Sequence, residues 1–315
     1  MPLPVKPWLS IQDQITLLQG RGMFIPDTAT AAEWLSTVGY YRLSGYWYPF
    51  REIDTTGQTR RLSTFAEATT FADVTGLYEF DRHLKALITS GLELVEVALR
   101  SQIGHRLGAL GPTSHDDPTH FRPTFDHGTW RATAQRRVSR ARGRDEFVDH
   151  HDAVYGGHLP IWVLTDVLDF SDLSRLFAGL RSSEQRSIGD WFGVSPAPTA
   201  SQTQRRRWRD NHPLANWLEH LTVVRNICAH HGRLWNRTLT PLGTSPRVRH
   251  LAGFATLPEQ QAQVERVYGT ICVITHLLAA VAPKSNWRTH LDDHVSTSFA
   301  NFALRNTSEM GYPTT

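Results

Sequence analysis

The chain has 315 residues, 40% hydrophobic and 20% charged, a globular composition that argues against a disordered or fibrous chain and suits one large domain or two small ones. Its two cysteines, Cys228 and Cys272, exclude a disulfide framework or a cysteine-built zinc site and fit a reducing cytoplasm. The net charge of +3 is too small by itself to name a polyanion partner.

Met1–Ser10 lacks the charged-then-apolar pattern of a secretion signal. Ser10–Gln19 and Thr28–Val38 read as short helices, each with a Ser or Thr at the N-cap. The turn signal Gly20-Arg21-Gly22 separates them. Gly39–Phe50 is dense in aromatics and suits either a short helix or irregular packing. Asp54–Gln58 is a polar loop. The strongest helical signal is Phe71–Leu110, where Leu77, Leu84, Ile88, Leu92, Val95, Leu99 and Ile103 recur at helical spacing. Gly91 interrupts it at modest cost, and Gly111-Pro112 ends it. Pro112–Gly128 is loop-like, and Trp130–Tyr155 reads as one basic, polar helix. Pro160–Phe170 and Ser171–Leu180 are two more. Ser195–Gln204 is a Pro/Ser/Thr-rich connector into Arg205-Arg206-Arg207-Trp208-Arg209.

Pro213–Ala229 is an amphipathic helix with the stripe Leu214, Trp217, Leu218, Leu221, Val224 and Cys228, and Gly232 is placed to end it. Glu259–Val281 is the last expected helix, closed by Pro283. Its apolar run Ile271–Ala282 is about half a bilayer span and is broken by His276, so no membrane helix is expected. No strand pattern is long enough to build a sheet. The fold class is all-α, and the helices starting at Phe71 and ending near His230 are expected to pack together.

Basic charge is unevenly placed. Nine Arg face only Asp210 and Glu219 between Ser201 and His250, and six Arg with no acid lie between Arg131 and Arg144. Lys6, Lys85 and Lys284 are the only lysines among 33 basic residues. Codon usage in a GC-rich genome explains that excess as well as phosphate recognition by guanidinium does.

The chemistry-bearing segment is Arg225-Asn226-Ile227-Cys228-Ala229-His230-His231. On an ideal helix Asn226 and His230 share a face, whereas Arg225 and His230 lie about 140° apart. Arg225 and His230 converge only if the last turn opens near Gly232 or if a second copy faces the first. Such a set suits RNA cleavage without a metal. An imidazole can move protons near neutrality, and a guanidinium can hold the charge of a phosphorane. Asn226 could orient His230 or hold a phosphate oxygen. The alternative is that His230 and His231 simply cap a helix C-terminus, where cations are favoured.

Three blocks resemble the Abi-like family of bacterial abortive-infection proteins. They are Lys6-Pro7 with Gly39-Tyr40-Tyr41-Arg42-Leu43-Ser44-Gly45-Tyr46; Leu77-Tyr78-Glu79-Phe80-Asp81-Arg82-His83-Leu84 running on to Glu93–Arg100; and Arg225–Asn236. Pro160-Ile161-Trp162-Val163 adds to them. That family is similar to the HEPN superfamily, all-helical domains with an Arg-x4–6-His ribonuclease motif. The resemblance implies one domain, with an N-terminal helical elaboration over about 1–65 and a HEPN-like core over about 66–300. It implies a metal-independent endoribonuclease acting as a homodimer in phage defence or toxin–antitoxin biology, and admits a small noncoding RNA as antitoxin. Arg225 and His230 then take the catalytic positions with Asn226 beside them. His231 remains an alternative to His230, since Arg-x5-His also fits.

Glu96 and Arg100 stand at i,i+4 on the long helix, either as an ordinary ion pair or as support for Arg225 and His230. Candidate RNA contacts are Arg42, Arg136, Arg137, Arg140, Arg205, Arg206, Arg207 and Arg233; a solvated basic face explains the clusters equally well. Tyr40, Tyr41, Tyr46, Trp47 and Tyr48 suit packing better than base stacking. There is no His-Glu-x-x-His, Gly-rich phosphate loop or Gly-x-Ser-x-Gly elbow, so no metal, cofactor or membrane partner is expected. Two rivals share these residues: a non-catalytic RNA-binding protein and a protein-interaction sensor.

Overall fold

A computed structural model describes residues 5, 7–56, 59–243 and 248–313; Met1–Pro4, Lys6, Gly57 and Gln58 lie outside the described residues. The architecture is mostly helical, with one two-stranded antiparallel sheet among the described residues. The chain divides into two compact units, Met1–Lys85 with Asp292–Thr307, and Ala86–Leu291 with Ser308–Thr315. No helix among the described residues is long and apolar enough to cross a membrane.

In the first unit, α1 (Ile11–Gly20) begins at Ser10, whose hydroxyl accepts the Asp13 N–H at 3.1 Å. The cap of α2 (Thr28–Thr37) is Asp27 and not the expected threonine. Its carboxylate takes the N–H groups of Ala29 and Thr30, both at 3.0 Å, which a charged acceptor does well at a helix start. The aromatic segment forms α3 (Tyr40–Trp47), entered through Gly39 at φ +88°.

After α3, β1 (Arg51–Asp54) and β2 (Arg60–Phe65) pair as an antiparallel hairpin, a small departure from the expectation that no strand pattern is long enough to build a sheet. Arg61 donates to the carbonyls of Pro49 and Arg51 at 2.8 and 2.9 Å and so pins the hairpin's base. Helix α4 (Phe71–Gly108) follows and is divided between the units at Lys85. Its first part meets α3: the buried Tyr46 hydroxyl donates to Asp81 at 2.7 Å, and Lys85 donates to the same carboxylate at 3.2 Å. Two of the sequence blocks are thus joined by a buried, hydrogen-bonded charge pair.

The second unit holds the rest of α4 and the helices that follow. The basic stretch is two helices, not one: α5 (His127–Ala141) and α6 (Glu146–Tyr155). Gly143 at φ +70° makes the break, and its N–H is held by Asp149 at 2.8 Å. Helices α7 (Ile161–Val167) and α8 (Phe170–Gly179) fall where expected. An unforeseen α9 (Ser182–Trp191) comes next, and the Arg run lies on α10 (Gln202–Asp210), opened by a Ser201/Gln204 capping box.

Helix α11 (Pro213–Ala229) has the expected bounds. The long final helix is instead α12 (Gln261–Val264) and α13 (Val267–Val281), then α14 (Trp287–Phe299). The break between α12 and α13, at the extended Arg266, is tight enough that a Cβ on Gly269 would sit 2.2 Å from the Val264 carbonyl oxygen. Helix α13 is buried almost all round, the mark of a central core helix. Helix α11 packs chiefly on α8 and α13. The later part of α4 also meets α13, where a Cβ on Gly91 would lie 2.8 Å from Ile274 and from the Trp287 ring. Gly91 is therefore a crossing point of close helices, not a mere flaw in α4.

Candidate functional site

One helix presents two classes of polar residue. The buried side of α11 carries Leu214, Trp217, Leu218, Leu221, Val224, Ile227 and Cys228, and with them two histidines held neutral. His220 donates from Nδ1 to the Thr240 carbonyl at 2.9 Å and accepts the Thr270 hydroxyl on Nε2 at 2.8 Å. Burial pushes its pKa down. His212 is the N-cap, its Nδ1 accepting the Leu214 N–H at 3.3 Å. Burial depresses its pKa to about 4.

The opposite side is different. Arg225, Asn226, His230 and His231 are all exposed. Among the described residues, the side chains of Arg225, Asn226 and His230 have no hydrogen-bond or ion-pair partner. No hydrogen bond fixes them, so they are available to a ligand.

The helix closes in a Schellman motif. His231 N–H donates to the Cys228 carbonyl at 3.1 Å and Gly232 N–H to the Ile227 carbonyl at 2.8 Å. The left-handed residue is His231, at φ +55°; the expectation had placed a glycine at the stop. His is more tolerant of this region than most side chains, yet the conformation still costs on the order of 1 kcal/mol relative to Gly. Gly232 follows, and a Cβ there would lie 3.2 Å from Ile227 and 3.6 Å from the Arg237 guanidinium. Arg237, absent from the sequence-derived set, thus stands at the same helix end. Its signal was the short Gly232–Arg237 spacing after the stop.

His230 N–H still bonds the Asn226 carbonyl at 3.0 Å, so the last turn is closed and not opened. Helical spacing therefore leaves Asn226 and His230 on one face and Arg225 well round the helix from His230.

The remaining candidates are dispersed. Arg100 pairs with Glu96 and also reaches the Thr165 carbonyl of α7, clipping α4 to α7. Arg137 is half-buried, with its guanidinium committed to Asp169 at 2.5 Å and Asp172 at 2.7 Å. Arg136 bonds Thr133 at 2.8 Å, and Arg140 is exposed beside it on α5. On α10, Arg205 donates to the Pro198 and Ala200 carbonyls, Arg206 lies 3.6 Å from Asp210, and Arg207 is exposed. Arg42 is exposed on α3, and Arg233 is half-buried after the α11 stop. Of the aromatics, Tyr46 and Trp47 are core, while Tyr41 is exposed. No three His, Cys, Asp or Glu side chains converge as a metal site requires among the described residues.

A cleft of about 550 Å³ runs between α8 and α11. Arg175 lines it from α8, and Ala215, Glu219 and Thr222 line it from α11. Those α11 positions continue at helical spacing to Asn226 and His230. The cleft and the exposed polar end therefore share one helix face. Neither Arg175 nor Glu219 was singled out from sequence. The i, i+4, i+7, i+11 series along α11 was legible, but its partner helix was not.

The sequence profile of the Abi-like protein family matches residues 33–236. No curated protein and no solved structure matches the chain.

Proposed function

The chain belongs to the Abi-like family, whose membership suggests abortive-infection defence against phage, and we propose that it acts there as a metal-independent endoribonuclease toxin. The observation that supports this most is the contrast along α11. Two histidines are buried and hydrogen-bonded as neutral core groups, whereas Arg225, Asn226 and His230 stand exposed and unpartnered at its end.

The chemistry needs one base and one acid. A neutral imidazole takes the proton of a ribose 2′-OH as that oxygen attacks the adjacent phosphorus. The bond from phosphorus to the 5′ oxygen breaks, and an imidazolium returns a proton to that oxygen. The products are a 2′,3′-cyclic phosphate and a 5′-OH. Arg225 holds the charge on the non-bridging oxygens of the phosphorane, and Asn226 orients His230 or the phosphate.

Because the last turn of α11 is closed, one chain offers a single His230 on that face. A two-fold dimer brings two His230 and two Arg225 to one seam and supplies the acid and the base together. The substrate is RNA, and a noncoding RNA is the antitoxin class compatible with an exposed basic end.

The test is RNA cleavage in chelator-treated buffer by wild type, Arg225→Ala and His230→Ala, each checked for fold by circular dichroism. Wild type alone should generate cyclic-phosphate ends. If both variants cleave as wild type does, the assignment is wrong. RNA retention without cleavage by wild type would make the protein a binder and not a nuclease.

A further inference from the structure

The cleft between α8 and α11 contains two opposite charges that do not meet. Most of its polar lining is already engaged. Asn216 donates to the Pro241 carbonyl at 3.3 Å and accepts the Gly243 N–H at 2.6 Å. Thr222 bonds the Leu218 carbonyl at 2.8 Å. Arg122 donates to the carbonyls of Leu180 and Asp210, each at 2.9 Å, and Asp210 is near Arg206 and Arg209. Among its charged side chains, Arg175 and Glu219 are the exceptions. Both are exposed, and neither has a hydrogen-bond or ion-pair partner among the described residues. They line one cleft yet are too far apart to pair with each other.

This arrangement selects a ligand. A bare phosphate would be repelled by Glu219, and a simple cation by Arg175. A molecule with an anionic group at one end and N–H donors at the other satisfies both. A nucleotide is such a molecule: its phosphate accepts from guanidinium, and the amino edge of cytosine, adenine or guanine donates to a carboxylate. The cleft volume of about 550 Å³ is within the range of small-ligand sites, roughly 300–1,000 Å³. Ala178, Ala215 and Val223 supply its apolar surface.

The position is as informative as the chemistry. Glu219 lies about 10 Å along the α11 axis from Asn226 and about 16 Å from His230, at the ~1.5 Å rise of a helix. At the ~3.4 Å rise of a stacked strand that is about three to five nucleotides.

We infer that this cleft is a second RNA subsite, holding one unpaired nucleotide a few residues from the cut, with Arg175 on its phosphate and Glu219 on its base edge. The inference rests on the ribonuclease reading for its ligand, but not for its geometry. It makes Glu219 a reader of sequence remote from the scissile bond. Uracil, which has no exocyclic amino group, is the disfavoured base.

The experiment measures binding of fluorescein-labelled 2′-O-methyl oligonucleotides of A, C and U, which lack the attacking hydroxyl, over a range of salt. Wild type should prefer A and C strands to U. Arg175→Gln should weaken binding to every strand by about five- to tenfold and reduce the slope of log affinity on log salt by about 0.7, the value for one lost phosphate contact on a single strand. Arg175→Lys should restore most of both. Glu219→Ala should abolish the base preference, about tenfold, and leave the salt slope unchanged.

Variants that match wild type in affinity, slope and ranking overturn the subsite even if wild type cleaves RNA. Binding that depends on Arg175 in a protein that never cleaves retains the subsite and removes the nuclease. A wild-type protein that binds none of the strands overturns the subsite as well. Circular dichroism of each variant shows that it is folded.

Discussion

Lowering the pH should destabilise this protein through His212, and by a calculable amount. The imidazole is buried at the start of α11, and its Nδ1 accepts the Leu214 N–H. An acceptor nitrogen must be unprotonated, so the geometry requires the neutral ring. Packing leaves no room for adjustment: a Cβ on Gly189 of α9 would come within 2.4 Å of the ring. Protonation would remove the cap's acceptor, add a cation to the positive end of a helix and bury a charge that Asp190 offsets only in part.

Burial, opposed in part by Asp190, takes the pKa from 6.5 to about 4. At ~1.4 kcal/mol per tenfold change in proton affinity, that difference amounts to about 3 kcal/mol. Between those two values the unfolded chain binds the proton and the folded one does not, so stability rises with pH there. The contribution is complete above about pH 6.5 and falls away as the pH drops towards 4. His115, His220 and His276 are also lowered by burial and steepen the loss in the same direction.

The assay is urea unfolding by circular dichroism at several pH values, comparing wild type with His212→Asn. Asparagine keeps a capping oxygen but does not titrate in this range. The variant's stability should therefore fall less steeply, by about 3 kcal/mol across the window. Parallel curves for the two proteins would refute the account of His212 as a buried neutral cap.

Gly91→Ala should destabilise the chain by about 1–3 kcal/mol, because overpacking against Ile274 and Trp287 outweighs the gain in helix propensity; an unchanged melting temperature would contradict that. Arg137→Ala should cost about 3 kcal/mol in urea unfolding, since it leaves the buried Asp172 without its partner. A loss under about 0.5 kcal/mol, the usual size for a surface change, would return Arg137 to the free RNA-binding candidates. His231→Gly, at φ +55°, should retain RNA cleavage if His230 moves the protons, whereas His231→Val should strain the helix stop by about 1–2 kcal/mol. Loss of cleavage in His231→Gly would transfer the catalytic role to His231.

The sequence alone determined the helical class, the exact span of α11 and the polar set at its end. Apolar residues at helical spacing write a buried face directly into the chain, and Pro213 marks the first turn of α11. It also announced the resemblance that the family match bears out. Breaks were less legible: the α5–α6 and α12–α13 turns leave the residue pattern helix-like on both sides, and only backbone geometry, at Gly143 and at the extended Arg266, separates them.

What only the tertiary structure decided was the meaning of each polar side chain. His212, His220, His230 and His231 are one residue type on or beside one helix, yet the first two are buried neutral groups and the last two face outward. Asp81 reads from sequence as one more helical carboxylate until Tyr46 and Lys85 close over it. Arg175 and Glu219 face a common cleft only because α8 lies against α11. Periodicity fixes which way a residue points from its own axis. What it then meets depends on contacts distant in sequence, where desolvation and pairing set its charge and role.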